Sequence, residues 1–401
     1  MKLIHCADLH LDSKLHTHLD RDRAKRRRDE LLNNFERLAE YASRKGVEAV
    51  LIAGDLFDRD TVSALAKNTV LSVIKAHPDI RFYYLRGNHD TGDCLGTKES
   101  GSGAAPANLF LFGNRWKTYR EGEKGRIAIT GMELTRENSA GAPASLRTDP
   151  ACFNIVMLHG QETGGRPASA EGLPPGTAYG RHFEQTFSAK GEKEEKGGGY
   201  AGVISIPALR GRNIDYLALG HIHACKKAPL DSRGIYCYPG CLEGRGFDES
   251  GPRGFAMLEI DEDRRTMTHR FVPFAQRTLY AVRADVTGCM STAQMKDMAE
   301  NALRAAGCTS KDMADVTLCG ELEVDCEKDL GYLRTVLESE FFFARLRDAT
   351  RLRLNVEDYL YDESLRGEFV RLVMADPSIR PQDRTEVIRC GFRAMDGEEL
   401  V

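Results

Sequence analysis

The chain has 401 residues, 41% of them hydrophobic, and a formal net charge of −4. That length can bury a hydrophobic core, and no stretch approaches the roughly 18 consecutive apolar residues of a membrane-spanning helix. The first residues are too few and too polar for a signal peptide, so we expect a soluble, cytoplasmic protein with no membrane partner. The 11 cysteines are odd in number and scattered, which favours reduced thiols over a disulfide framework. The net charge leaves nucleic acid open as a partner, because a locally basic face can still attract phosphates.

Residues 1 to about 270 alternate between short aliphatic or β-branched runs and longer segments with helical periodicity. This alternation is typical of an α/β layered domain. One helix is predicted between the first two runs and another after Asp60. The predicted strands are 2–6, 49–53, 81–85, 127–131, 154–158 and 215–219.

Two glycine-rich stretches, 95–106 and 161–200, interrupt this order and are predicted to be loops, the second either a solvated insertion or a lid. Beyond Pro273 the pattern predicts a strand, a helix, a strand and a helix at 278–284, 292–306, 315–324 and 328–340, which is typical of a small α/β unit. From residue 356 the chain is charged and helical. The predicted domains are 1–273, with the insertion at 161–200, then 274–355 and 356–401.

Five of the predicted strands end in polar clusters that offer imidazole, carboxylate or amide donors and no thiolate. Because the carboxyl ends of parallel strands meet at one edge of a sheet, we expect these clusters to converge on one crevice. In an extended segment residues i and i+2 point the same way, so Asp8 with His10, and His221 with His223, each offer two ligands to one side. The backbone is expected to turn sharply at the glycines beside the clusters, which are Gly54, Gly87, Gly160 and Gly220.

A single histidine or aspartate at a strand end is more commonly a cap or a turn residue than a metal ligand. Five clusters together favour a metal centre, because burying four histidines and two aspartates without cations would leave unpaired charges and donors. The donor types suit manganese, iron or zinc. The predicted ligands are Asp8, His10, Asp55, Asn88, His159, His221 and His223.

These clusters, in this order, resemble the calcineurin-like metallophosphoesterases, whose pattern is D-x-H, G-D, G-N-H-D/E, H and G-H-x-H. The resemblance covers residues 1 to about 225 and implies a four-layer α-β-β-α sandwich, followed here by a small α/β capping domain and a helical C-terminal segment. It also implies two divalent metal ions bridged by Asp55. Asp8, His10 and His223 would complete the first site, and Asn88, His159 and His221 the second.

The segment 238–255 and the opening 4–13 are similar to the SbcD- and YhaO-like DNA-repair exonucleases. This resemblance implies a manganese-dependent DNA exonuclease or endonuclease, an SMC-like coiled-coil ATPase as partner and a homodimer. Two alternatives stay open. One is a phosphatase or small-molecule phosphodiesterase of the same fold, and the other is a non-catalytic DNA-binding or scaffold subunit.

Hydrolysis is expected to proceed through a metal-activated hydroxide, with His89 as general acid or leaving-group stabiliser. Asp58 either accepts a hydrogen bond from His89 or, like Asp60, caps the following helix. The C-terminal amphipathic helices either dock on a partner or close their own core. A basic run at the start of the first helix is either a DNA contact or a solvated helix face, and it contains Arg21, Arg23, Lys25, Arg26, Arg27 and Arg28.

Overall fold

The computed structural model of the chain describes residues 1–13, 19–58, 62–90, 92–95, 105–164, 200–323, 326–353, 355–395 and 397. The chain divides into two compact units, Met1–Leu279 and Tyr280–Val401. Most of the predicted loop 95–106 and insertion 161–200 lies outside the described residues. The finer division at residues 273 and 355 stays a prediction.

Two β-sheets form the centre of the first unit. The strands of the first sheet are β1 (Lys2–Cys6), β2 (Ala49–Ala53), β3 (Arg81–Leu85), β4 (Leu109–Leu111), β12 (Gly254–Asp261) and β13 (Thr266–Pro273). Those of the second are β5 (Lys117–Glu121), β6 (Ile127–Gly131), β7 (Phe153–Thr163), β8 (Gly202–Ser205), β9 (Tyr216–Gly220), β10 (Lys226–Pro229) and β11 (Ile235–Tyr238). The first sheet has the strand order β13-β12-β1-β2-β3-β4, and the second has the order β10-β11-β9-β7-β6-β5 with β8 paired to β7.

The central strands of both sheets are parallel, and this brings their carboxyl ends to one edge. β1, β2 and β3 pair in parallel in the first sheet, and β6, β7 and β9 do so in the second. Both faces of these strands are covered: Leu51 packs between the sheets, while Val50 and Ile52 face the helices. Burial on both faces explains why β2 is a continuous apolar run rather than an alternating one.

Helices cover the outer face of each sheet, so the unit has four layers in the order α-β-β-α. Helix α1 (Arg21–Arg44) and helix α2 (Ala64–Ala76) pack on the first sheet. The short helices α3 (Ala142–Ser145) and α4 (Ile206–Leu209) pack on the second. Asp20 begins α1 by accepting the backbone N–H groups of residues 22 and 23 at 3.0 and 2.8 Å.

The second unit contains a three-stranded sheet with its own core. Its strands β14 (Leu279–Asp285), β15 (Met313–Leu322) and β16 (Phe343–Leu352) pack against α5 (Thr292–Ala306) and α6 (Leu330–Glu340). A separate apolar cluster joins α7 (Val356–Tyr359), α8 (Leu365–Ala375) and α9 (Arg384–Met395). None of the helices in the described part of the chain combines the length and the apolar character that crossing a bilayer requires.

The predicted DNA-contact role is wrong for Arg27, because its side chain is buried rather than exposed. It is 2% exposed and donates to Glu30 and Glu243, both at 2.9 Å, and to the Gly244 carbonyl at 2.8 Å. Arg277 donates to Glu30 from the opposite side. Helical spacing gives the reason, since residue 27 lies one turn before Leu31 on the inward stripe of α1. Of the other residues in the run, Arg23 is half-buried and Arg21, Lys25, Arg26 and Arg28 are exposed.

Replacing Arg27 by methionine should lower the free energy of unfolding by about 3 kcal/mol, because it leaves buried carboxylates of Glu30 and Glu243 undercompensated. Arg28→Met, on the exposed face of the same helix, should change it by less than about 0.5 kcal/mol. Urea unfolding of both variants measures the difference. Equal stabilities would contradict the structural role assigned to Arg27.

Candidate metal centre

The carboxyl ends of five strands bring the seven predicted ligands to one place. Asp8 and His10 follow β1, Asp55 follows β2 and Asn88 follows β3, all in the first sheet. The second sheet contributes His159 from within β7, and His221 and His223 from the segment after β9. The site therefore lies where the edges of the two sheets meet, as expected for ligands at the ends of parallel strands.

The donor atoms form two groups, each with its atoms within 4.8 Å of one another. One group is Asp8, His10 and His223, and the other is Asp55, His159 and His221. The amide oxygen of Asn88 joins the second group, 3.0 Å from His159 Nε2 and 3.3 Å from His221 Nδ1.

Asp55 stands between the two groups. Its Oδ2 atom lies 3.3 Å from His159 Nε2 in one group and 3.9 Å from His10 Nε2 in the other. Its Oδ1 atom accepts the backbone N–H of His89 at 2.9 Å. This position suits a carboxylate shared by two cations, which is the role that the family resemblance implies for Asp55.

The backbone at the ligands is left-handed, which differs from the extended geometry expected for Asp8 and His10. Four of the seven non-glycine residues with left-handed φ in the described ranges are predicted ligands. Their φ values are 53° for Asp8, 47° for His10, 51° for Asp55 and 106° for His221. Such conformations cost about 1–3 kcal/mol each and persist where the surrounding structure enforces them. Here hydrogen bonds from Asp8 N to Gly54 O and from His10 N to Asp55 O hold the turn.

Glycines give the ligands room at two points of closest approach. A Cβ atom on Gly87 would lie 2.1 Å from Asp55 Oδ1, and one on Gly220 would lie 1.9 Å from the Ala53 carbonyl oxygen. Neither residue has a left-handed φ, so their role is clearance rather than the sharp turn that the sequence predicted. Gly54 combines both reasons, with a φ of 91° and His159 Nδ1 at 2.1 Å from its virtual Cβ.

The outer ring nitrogens of three histidines are backed by oxygen atoms. His159 Nδ1 donates to the Ala53 carbonyl at 2.8 Å, and His223 Nδ1 donates to Glu249 Oε1 at 2.6 Å. His10 Nδ1 lies 2.9 Å from Asp58 Oδ1, although the ring N–H is not aimed at that oxygen. At His159 and His223 this hydrogen bond fixes the tautomer and leaves Nε2 as the lone-pair donor. Glu249 is a functional residue that sequence reasoning did not assign.

Asp90 joins the segments that carry Asp55 and Asn88. Its carboxylate accepts the backbone N–H groups of Leu56 at 3.1 Å, Phe57 at 2.8 Å and Gly87 at 3.1 Å. Burial, with the negative charge of Asp55 nearby, raises the pKa of Asp90 to about 6. The sequence pattern contained Asp90 but suggested no role for it.

The donor set fits divalent cations. His10 Nε2 and His223 Nε2 face each other at 3.1 Å, while the Nδ1 proton of His223 is taken by Glu249. Burial, followed by the positive charge of Arg245, lowers the pKa of His10 to about 4, so the ring is neutral as a metal ligand must be. The two Nε2 lone pairs, this close to each other and to the Asp8 carboxylate, are stabilised by a positive charge between them. Nitrogen and oxygen donors suit manganese, iron and zinc alike.

His89 and Asp58 lie at the site, but not in the predicted pairing. The His89 side chain is 15% exposed, and its ring meets that of His10 edge-on at 5.0 Å between centroids. Asp58 Oδ1 is 3.9 Å from His89 Nδ1, too far for the hydrogen bond expected from the sequence. Asp58 instead accepts Arg245 Nη1 and Ser13 Oγ, both at 2.8 Å, so the oxygen measured against His89 is occupied by the guanidinium. Asp58 does not cap α2 either, since Ser63 does so, and Asp60 lies outside the described residues.

A Gly54→Ala variant should lose metal affinity by at least about tenfold, because the new methyl group displaces the His159 ring. Gly46→Ala is the matched control: its φ of 64° is also left-handed, but no atom lies within 4 Å of the added carbon. Metal content after dialysis and thermal unfolding separate the two effects. The control should show a modest loss of stability and full metal content, and equal metal content in both variants would contradict the clearance role.

Two known proteins are similar to this chain in sequence. The chain is 27% identical over 273 residues to the "Uncharacterized metallophosphoesterase YhaO" of Bacillus subtilis (strain 168), a match covering 65% of this chain and 57% of that protein. It is 24% identical over 288 residues to the "DNA double-strand break repair protein Mre11" of Aeropyrum pernix, covering 71% of this chain and 64% of that one. The chain thus spans less than two thirds of either relative.

Among solved structures, the chain is similar to a dimetal phosphatase from Danio rerio, with 12% identity and a TM-score of 0.39. That match covers 67% of this chain and 96% of the phosphatase. The family model described as calcineurin-like phosphoesterase matches residues 1–225, which is more than half of the chain. With a four-layer fold and two donor groups that share one aspartate, the chain belongs to the calcineurin-like phosphoesterase family.

Proposed function

We propose that this phosphoesterase is a DNA nuclease, a metal-dependent phosphodiesterase that acts in DNA repair. The observation that carries hydrolysis of a phosphoester is the pair of donor groups with Asp55 between them. The DNA substrate is supported by similarity to the Aeropyrum Mre11 protein over 288 residues, a longer stretch than the 225 matched by the family model. The similarity therefore extends beyond the part common to phosphoesterases in general.

Two bound divalent cations would supply Lewis-acid activation of water and neutralise charge on the phosphoryl group. Asp8, His10 and His223 would hold one of them, and Asn88, His159 and His221 the other, with Asp55 shared. The chain's own proton donor is His89, whose ring stands at the partly exposed edge of the site. The backbone N–H of His89 donates a hydrogen bond to Asp55 Oδ1. This bond keeps the His89 ring beside the shared carboxylate, where the ring can protonate a departing oxygen.

Manganese, a homodimer and an SMC-like coiled-coil ATPase partner belong to the same proposal. In α8 and α9, the inward residues Val370, Ile388 and Phe392 close a small core. Leu365 and Leu372 remain exposed on α8. These two leucines support a docking role for the C-terminal helices beyond closing their own core.

His89→Ala should reduce phosphodiester hydrolysis by at least about 100-fold while both metal ions stay bound, because His89 supplies a proton and not a ligand. Asp55→Ala should lose activity and bound metal together, because it removes the shared carboxylate. Elemental analysis and hydrolysis of bis-p-nitrophenyl phosphate measure the two properties. A His89→Ala variant as active as the unmodified protein would contradict the proton-donor role.

Substrate class is tested by comparing linear duplex DNA, single-stranded DNA and small phosphomono- and phosphodiesters in manganese buffer. We expect cleavage of DNA ends to exceed hydrolysis of the small esters, and chelation of the metal to abolish it. The Asp55→Ala variant serves as the inactive control. Preference for a small ester would favour a phosphatase or small-molecule phosphodiesterase, and DNA binding without cleavage would favour a scaffold subunit.

A further inference from the structure

Arg245 lies beside the metal centre, between two buried or half-buried carboxylates. It is in the segment between β11 and β12, and its side chain is 21% exposed. The guanidinium donates from Nη1 to Asp58 Oδ1 at 2.8 Å and from Nη2 to Glu249 Oε1 at 3.1 Å. The backbone N–H of Arg245 also donates to Glu249 Oε2 at 2.7 Å. The fork of the guanidinium thus joins two carboxylates that are distant in sequence.

The same two carboxylate oxygens face predicted metal ligands. Asp58 Oδ1 is the atom 2.9 Å from His10 Nδ1, and Glu249 Oε1 is the atom that accepts His223 Nδ1 at 2.6 Å. Each oxygen is therefore shared between the guanidinium and one imidazole. The position of the arginine consequently sets the positions of both oxygens that lie against the outer nitrogens of the two rings, with a hydrogen bond at His223 and a close contact at His10.

Only one of the two donor groups depends on this arrangement. His10 and His223 belong with Asp8 to the first group. In the second group His159 is oriented by the Ala53 carbonyl, a backbone atom. Among the contacts of the described residues, those of Arg245, Asp58 and Glu249 reach His10 and His223 but not Asn88, His159 or His221. Arg245 therefore supports one side of the centre.

We infer that Arg245 is a positioning residue that selectively sets the affinity of the Asp8–His10–His223 site for its cation. It does so by holding the Asp58 and Glu249 carboxylates against the outer nitrogens of His10 and His223. Without the guanidinium the two carboxylates lose their common anchor and the rings lose their orientation, while the other site keeps its backbone support. The inference rests on the metal-binding part of the proposed function and is independent of the DNA substrate.

The test is a titration of the full-length, chelator-stripped protein with Mn²⁺ by calorimetry, without any substrate. The unmodified protein should bind two ions. In Arg245→Met one ion should bind about 10–100-fold more weakly, as expected when a residue behind a ligand is lost, and the other within about twofold of the unmodified protein. Arg245→Lys retains the charge but not the fork, so it should give an intermediate loss at the same site.

Arg233→Met is the matched control, because Arg233 has a similar exposure of 24% and a two-point ion pair with Asp215, remote from the ligands. It should bind both ions with unchanged affinity. The affected site is identified in two backgrounds. In the His159→Ala background, adding Arg245→Met should lower the affinity for the remaining ion by about tenfold or more. In the His10→Ala background, adding Arg245→Met should change the affinity for the remaining ion by less than about twofold.

Equal weakening of both ions, or unchanged binding of both, would overturn the inference. Thermal unfolding is recorded for every variant, and if Arg245→Met does not fold, Arg245→Lys decides between these outcomes. Absence of any bound ion in the unmodified protein would instead overturn the metal centre itself. The failure of the two proposals is therefore distinguishable.

Discussion

Lone pairs that face one another across about 3 Å are the constraint on which this structure depends. His10 and His223 oppose ring nitrogens at 3.1 Å, and Asn88 presents its amide oxygen to two further imidazoles at 3.0 and 3.3 Å. Without a cation, these contacts require a proton on one ring nitrogen of each pair; although burial lowers it, the charges of Asp55 and Asp8 raise the pKa of His159 to about 9. The site is therefore organised for positive charge, and the surrounding features serve to hold it in that state.

The two β-sheets stabilise the strained backbone conformations at the predicted ligands. Four ligands occupy left-handed conformations, and Gly54, Gly87 and Gly220 are close enough to neighbours that any side chain there would collide. The parallel central strands of the two sheets, which are buried on both faces, hold the strand ends rigidly enough to keep these conformations. The conformational free energy that the left-handed ligand residues cost is thus offset by the packing of the adjacent strands.

A continuous set of charged contacts connects the helix layer to the metal centre. Arg27 and Arg277 neutralise Glu30 and Glu243, and Glu243 also accepts backbone N–H groups of residues 276 and 277. Arg27 additionally binds the Gly244 carbonyl, which fixes the segment where Arg245 follows. The buried ion pairs therefore have a role beyond stability, since they position the residue that joins Asp58 and Glu249.

Phosphoester hydrolysis, which is common to the family, and the choice of substrate have different physical origins. The donor geometry accounts for a phosphoesterase, because its parts are side chains at strand ends in a shared fold. The same fold serves many substrates, so the fold by itself does not specify the substrate. The second unit, Tyr280–Val401, has its own sheet and core.

The sequence alone determined the central strands and the polar side chains that meet at their ends. Predicted strands at 2–6, 49–53, 81–85 and 127–131 coincide with β1, β2, β3 and β6, because continuous apolar runs with sharp polar ends leave few alternatives. Order along the chain and residue type were sufficient to predict that seven side chains meet. Strands β13 and β16 were not predicted, since their alternating polar residues have meaning only once a partner strand is present.

Only the tertiary structure decided how each side chain is used. Helical spacing was enough to place Arg27 on the inward face of α1, but its partners Glu243 and Gly244 are more than 200 residues away in sequence. Asp58 pairs with Arg245, which is 187 residues away in sequence, rather than with His89, and the role of Glu249 depends on the fold of a distant turn. Local patterns specify which groups are present at a strand end. Long-range packing specifies which atoms face each other, because that depends on distances no local pattern contains.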